Sequence, residues 1–296
     1  MPLIHLREVD FLLLHIVLIV LQIAFCALVA LGLIAVLVKP YSVYKNNHQE
    51  KNGMEGKQVV FVENNSEQEN SDGKKGHLEA TGDIYYKKTF YGKYVKRFLD
   101  IIVSFGGLIV LSPLFLVITV ATFIDDPGPI FFTQKRVGEN KRYFKLHKFR
   151  SMKMSTPHDV PTHMLENPDQ YITKIGGFCR RHSLDELPQI WDIFIGNMSI
   201  IGPRPALWNQ DVLVAERDKY FANNVKPGLT GLAQINGRDE LEIEEKAKLD
   251  GKYVSNMGLA MDIKCFFGSV HVFKEDTSVV EGKTRDIVRE KETVTK

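Results

Sequence analysis

The sequence predicts a membrane-anchored α+β protein. It has an N-terminal transmembrane helix, a re-entrant helix-break-helix, and a cytoplasmic, mostly helical domain with short strands. Three observations predict this. Phe11 to Val38 runs 28 residues without a formal charge. Phe98 to Ile124 is a second apolar run, 27 residues long, with Ser112-Pro113 near its middle. From Asp125 onward the pattern is that of a soluble domain set on a membrane.

The composition narrows the classes. Of 296 residues, 44% are hydrophobic and 25% charged, which is ordinary for a globular protein. A disordered chain, a collagen-like repeat and a small disulfide scaffold are excluded. Lys+Arg is 38 against 36 Asp+Glu, so the net charge of +2 gives no field for binding nucleic acid. Cys26, Cys179 and Cys265 form no C-x-x-C pair, which argues for reduced thiols and against structural zinc.

About 20 apolar residues cross a bilayer core, so Phe11 to Val38 spans with tilt to spare. The flank before it has Arg7 beside Glu8 and Asp10; the flank after it has Lys39, Lys45 and Lys51. The positive-inside rule places everything after residue 38 in the cytoplasm. Residues 1–44 are therefore read as the transmembrane helix region. Residues 45–84 read as a polar flexible linker, with six acids and two lysines between Glu63 and Asp83. Val59 to Val62 would make a short strand, marginal by itself.

Tyr85 to Phe98 holds four tyrosines, two phenylalanines and five cations without an acid, a mixture that suits the lipid headgroup layer. The second apolar run breaks at Pro113, because proline removes a helical hydrogen bond and clashes with the preceding turn. Phe98 to Leu111 is about 21 Å of helix, short of a roughly 30 Å hydrocarbon core. Gln134 to Lys153 carries eight cations and one acid, which opposes export of the chain beyond the run. Residues 98–124 thus enter the membrane and turn back, with Ser112 Oγ placed to hold a carbonyl freed by Pro113.

In the domain over 85–275, Ile130 to Phe132 and Tyr143 to Leu146 read as short strands. Ser183 to Phe194, Gln210 to Phe221 and Leu241 to Val254 read as helices. Pro227 to Arg238 reads as a structured loop, and Leu259 to Phe273 as an apolar stretch lying on the membrane. Residues 276–296 form a charged C-terminal tail.

The densest polar segment is Cys179-Arg-Arg-His-Ser-Leu-Asp-Glu-Leu-Pro-Gln189. One reading is structural: Ser183 caps a helix and Glu186 completes a capping box. The other is chemical. A helix start behind Arg180 and Arg181 attracts phosphate. A carboxylate there can attack phosphorus or hold Mg²⁺. Asp185 and Glu186 point about 100° apart on a helix and suit two different tasks. Arg204, fixed between Pro203 and Pro205, together with Lys148 and Arg150, adds phosphate-binding potential. The glycine loop ending at Arg238 offers backbone N–H groups. His147, His158, His163 and His182 show no metal-ligand spacing.

These segments together resemble the bacterial sugar transferase family, the monotopic phosphoglycosyl transferases, from about Lys93 to Lys274. The resemblance is carried by Lys96-Arg-Phe-Leu-Asp100, Ser112-Pro113, Phe132 to Gly138, Lys148 to Met152, Ser183 to Gln189, Gly202 to Pro205, and Lys226 to Gly231 through Asn236-Gly-Arg238. It implies transfer of a sugar-1-phosphate from a UDP-sugar to polyprenyl (undecaprenyl) phosphate in the bilayer. The products are polyprenyl-diphosphate sugar and UMP, in the initiating step of a capsule, exopolysaccharide, O-antigen or glycoprotein glycan. By the same resemblance Asp185 is the nucleophile and forms a phosphosugar intermediate. Glu186 is the Mg²⁺ ligand, and Arg180 and Arg204 match family arginines placed to hold phosphate; Lys148, Arg150 and Arg238 are further phosphate-binding candidates on the residues themselves. Ser112 and Pro113 form the membrane break, and the catalytic domain faces the cytoplasm on the bacterial inner membrane. A homo-oligomer is compatible with this reading. Asp192, Asn197 and Leu232 stand where the family more often has Asn, Asp and Trp. The stretch Ala206 to Glu242 leans toward an N-acetylated amino sugar. The competing classes are a membrane-bound glycosyltransferase that releases UDP and a non-catalytic scaffold of a glycan-assembly complex.

Overall fold

The computed structural model describes residues 52–65, 67–156, 168–237 and 241–275, with residue 22 alone before them. The transmembrane helix expected over 11–38, the tail 276–296 and Arg238 lie outside the described residues.

The chain begins with an antiparallel hairpin of β1 (Lys57–Glu63) and β2 (Gly76–Asp83). A π-helical turn, Tyr91–Val95, leads into α1 (Lys96–Val110) and then α2 (Ser112–Asp125). A second antiparallel hairpin pairs β3 (Phe131–Val137) with β4 (Tyr143–Phe149). Helix α3 (Lys174–Arg181), a 3₁₀ turn at Leu184–Glu186, α4 (Gln189–Ile195) and β5 (Ser199–Ile201) come next. After α5 (Asp211–Asp218), strand β6 (Gly228–Thr230) runs parallel to β5. Helices α6 (Leu232–Ile235), α7 (Ile243–Ser255) and α8 (Leu259–Glu275) complete the described chain.

Among the described residues no single helix is long and apolar enough to cross a membrane. The pair Tyr91–Val110 and Ser112–Asp125 meets that length and composition together, bent by 59°. The bend falls at Pro113, in the first turn of α2, where its missing N–H leaves Ile109 O without a helical donor. Ser112 Oγ donates to that oxygen at 2.7 Å. From Phe98 to Ile124 the outward-facing side chains are apolar, among them Phe98, Val110, Val117 and Ile124.

The core consists of small clusters that join neighbouring elements. Phe115, Ile118, Phe149 and Cys179 lock α2 to β4 and α3. Phe144, Leu146, Ile193 and Met198 lock β4 to α4. Ile201, Val225, Leu232, Tyr253 and Cys265 gather the C-terminal helices around β5. Burial of side chains of this size is worth about 1.5–3 kcal/mol each. Asp100 in α1 accepts from Ser199 Oγ and Ile200 N, both at 3.0 Å, which ties the apolar helix to the domain.

Three expectations are corrected. Within the presumed linker, 57–83 is a docked hairpin. Val59 is buried with Val137, Ala206, Leu213 and Val214, and its N–H donates to Asp218 at 2.9 Å. Asp72, in the hairpin loop, accepts from Val212 N and Leu213 N and so caps α5 from a distant part of the chain. The strand judged marginal in isolation is stable because those partners bury it. Ser183 to Phe194 is not one helix. Ser183 is left-handed at φ 53° and makes no cap, since Glu186 is drawn elsewhere. Pro227 to Arg238, expected as loop, contains β6 and α6.

Candidate active site

Three segments converge at the 3₁₀ turn Leu184–Glu186. The first is that turn itself, thrown out of line with α3 by left-handed Ser183. The second is Lys148, near the end of β4. The third is Arg204, in the loop after β5. This loop is fixed on several sides. Gly202 N donates to Thr230 O and Gly228 N to Pro203 O, each at 2.8 Å. A Cβ at Gly202 would lie 2.6 Å from the Lys226 carbonyl, so only glycine allows the approach. Arg136 Nη1 donates to Pro205 O and Arg217 Nη1 to Arg204 O, both at 2.9 Å. Arg217 is in turn held by buried Asp250.

Glu186 is the hub. Its Oε1 accepts from Lys148 Nζ at 2.9 Å and Arg204 Nη2 at 3.0 Å. Burial pushes the carboxyl pKa up, but the charges of Arg204 and Lys148 outweigh it. The group is held well below the usual carboxylate range and is ionised at any working pH. Asp185, 7% exposed, is its neighbour. Burial first, then the Asp185 charge, raises the pKa of the Cys179 thiol, which stays protonated and inert beneath the turn.

The structure thus brings together Asp185, Glu186, Lys148 and Arg204. Arg180 is nearby on α3 and donates from Nε to Ser151 Oγ at 2.8 Å. Arg150 turns away: its guanidinium binds the side chain and carbonyl of Asp126, at the end of α2. It clamps the helix pair to the domain and does not join the cluster. Sequence reasoning missed His147. Its backbone N–H and Nδ1 both meet Asp192, each at 2.9 Å, and this pairing raises the imidazole pKa. The contact fixes α4 against β4 one residue from Lys148. The partners lie 45 residues apart, so no local signal marks them.

The donor set bears on a metal ion. Among the described residues no group of three or more His, Cys, Asp or Glu side chains gathers. Mg²⁺ differs from zinc in needing only one or two carboxylates, with phosphate oxygens and water filling its octahedron. Glu186 meets that need as a single carboxylate, and its Lys148 and Arg204 contacts both fall on Oε1.

The chain is 38% identical over 191 residues to the UDP-glucose:undecaprenyl-phosphate glucose-1-phosphate transferase of Escherichia coli K12, a match covering 60% of this chain and 40% of that protein. It is 34% identical over 193 residues to exopolysaccharide production protein ExoY of Sinorhizobium fredii, covering 60% of this chain and 85% of that one. The galactosyl transferase CpsE of Streptococcus agalactiae is 37% identical over 207 residues, covering 63% of this chain and 44% of CpsE. The chain thus spans less than half the length of the E. coli and Streptococcus relatives. The family model described as bacterial sugar transferase matches residues 91–275, more than half of the chain and all of the cluster around Glu186. The chain belongs to the bacterial sugar transferase family.

Proposed function

We propose that this chain transfers a sugar-1-phosphate from a UDP-sugar to undecaprenyl phosphate, releasing UMP and starting the assembly of a bacterial surface glycan. The observation that carries this is the convergence of Lys148 and Arg204 on Glu186, beside buried Asp185. A diphosphate entering there meets two preplaced cations, which need little reorganisation to leave Glu186 for phosphate oxygens. The Asp185 carboxylate attacks the sugar-bearing phosphorus, the bond to the UMP oxygen breaks, and UMP departs. An oxygen of undecaprenyl phosphate then attacks the same phosphorus and releases Asp185. Glu186 would hold Mg²⁺, which when bound neutralises charge on the diphosphate. Arg180, at the end of α3 five residues before Asp185, is assigned to steady the transferred phosphate.

The bent pair α1–α2 is read as re-entrant, entering and leaving the cytoplasmic face of the inner membrane. The 59° break and the Ser112 hydrogen bond to Ile109 support this. The relatives' names give glucose and galactosyl, so UDP-glucose and UDP-galactose are the first donors to test, ahead of the N-acetylated amino sugar suggested by sequence.

Enzyme given UDP-sugar alone should release at most about one UMP per enzyme and gain one sugar-phosphate on Asp185, the pattern of a two-step exchange. Asp185→Asn should gain none. Release of UDP would support a glycosyltransferase instead, and full turnover by Asp185→Asn would support a scaffold. A sequential pattern, with no UMP before undecaprenyl phosphate is added, would defeat the covalent route.

A further inference from the structure

At the end of α4 opposite to Glu186, a cavity of about 260 Å³ opens between the first turn of α1, the cap of α4 and Lys226. Its wall carries six cations and two acids, Asp100 and Glu139. Most of that charge is committed. Lys96 pairs with Asp262 at 2.6 Å, and Arg97 donates to the Ile193 and Phe194 carbonyls at 2.7 and 2.8 Å. Lys88 pairs with Glu139, and Arg142 with Glu55.

Lys226 differs. Among the described residues no hydrogen bond or ion pair reaches its ammonium, although the side chain is half-buried. A Cβ at Gly196 would lie 3.1 Å from Arg97 Nη2 and 3.3 Å from Lys226 Nζ, so two cations flank one bare backbone position. Gly196 is left-handed at φ 93°, which suits glycine for a second reason. Burial, then the charge of Arg97, pushes the Lys226 pKa down to about 8, against the smaller opposing charges of Glu139 and Asp100. Like charges gathered in a partly buried hollow are costly, and an anion between them removes that cost.

We propose that this cavity holds the headgroup phosphate of an anionic membrane lipid, at a site separate from the reacting phosphates. Position favours a lipid source. The cavity is lined by Gly92, Lys93 and Arg97, where the bent helix pair begins, and the adjacent Phe90, Tyr94 and Phe98 are exposed. Aromatic rings of that kind settle at headgroup depth. The excess of cations over acids favours an anionic headgroup over a zwitterionic one. Separation from the chemistry comes from α4, whose seven residues span about 10 Å between the turn at Glu186 and Gly196. The inference rests on the membrane placement of the helix pair and not on the catalytic reading.

The test uses the full chain in nanodiscs and a small amine-acylating reagent at pH 8, with labelling read by peptide mass spectrometry. In phosphatidylcholine, Lys226 should label faster than the exposed Lys57 and Lys252. Adding phosphatidylglycerol should slow Lys226 by roughly tenfold or more relative to those two, as its pKa returns toward the usual lysine value. Glu186→Gln should show the same protection, since it touches only the other site. Protection by phosphatidylglycerol but not by millimolar glycerol phosphate supports the lipid assignment. Equal protection by soluble glycerol phosphate overturns that assignment, and protection by neither overturns the site. UMP release plays no part in the readout, so the two proposals fail independently.

Discussion

Ser112 donates its hydroxyl to the carbonyl of Ile109 over 2.7 Å, and Ile109 O is the acceptor that Pro113, four residues on, leaves without a helical donor. Break and repair are thus encoded side by side. An unsatisfied carbonyl costs several kcal/mol in a lipid environment, so the hydroxyl would make such a bend tolerable there.

Ser112→Ala should therefore destabilise the helix pair by about 1 kcal/mol or more, read as a lower thermal midpoint in detergent. Pro113→Leu should straighten the pair. Cysteines placed before residue 96 and after residue 125 should react from the same face of a vesicle in the native protein. Reaction from opposite faces would refute a re-entrant pair.

Glu186→Gln keeps the shape of the hub but removes the charge that gathers Lys148 and Arg204. Turnover should fall by about a hundredfold or more, with circular dichroism unchanged, because positioned charge dominates phosphoryl transfer. An unchanged kcat would contradict the assignment. If Glu186 holds Mg²⁺, excess EDTA should abolish turnover and added Mg²⁺ should restore it.

Lys141 is fully buried and pairs with both oxygens of Asp218 at 2.9 Å. Lys141→Met would leave Asp218 buried with only Val59 N and Asn223 Nδ2 as donors. Breaking one side of such a pair costs about 3–5 kcal/mol. Denaturant unfolding should show it, and hydrogen exchange should place the loosening in the β1–β2 hairpin first.

Asp211 opens α5 close to Asp72, and burial, then the Asp72 charge, raises its pKa to about 6. A carboxyl raised in the folded state is a penalty that appears as pH climbs from the unfolded value, near 4, to about 6, and is full above that. Asp211→Asn should therefore stabilise the protein at pH 7 and lose that advantage by pH 4. A stability difference that is flat across this window would exclude the raised Asp211 pKa.

The legible parts of the sequence were those whose causes are local. Pro113 bends its own helix, and Ser112 sits beside it. The β3 and β4 strands announced themselves but ran longer, since cross-strand pairing carries them to Val137 and Phe149. Ser183 misled because a capping box needs Glu186 to turn back, whereas Lys148 and Arg204, 38 and 18 residues away, hold it forward. Arg150 shares a strand face with Lys148 by alternation. It nevertheless lies past the end of β4, where the chain turns toward Asp126. The hairpin was illegible because its burial comes from residues about 150 positions later.

Kinship and mechanics divide this chain at different places. The family match starts at residue 91, yet Asp72 supplies the end cap of a helix well inside it, and Asn52 Nδ2 reaches the Lys141 carbonyl at 2.8 Å. Cutting at residue 90 would uncover Leu213 and Val214 and strip α5 of its cap. The packed unit therefore extends N-terminal of the family match to include the β1–β2 hairpin and Asn52. Any shortened or grafted version of the matched domain must carry the hairpin with it as a keystone.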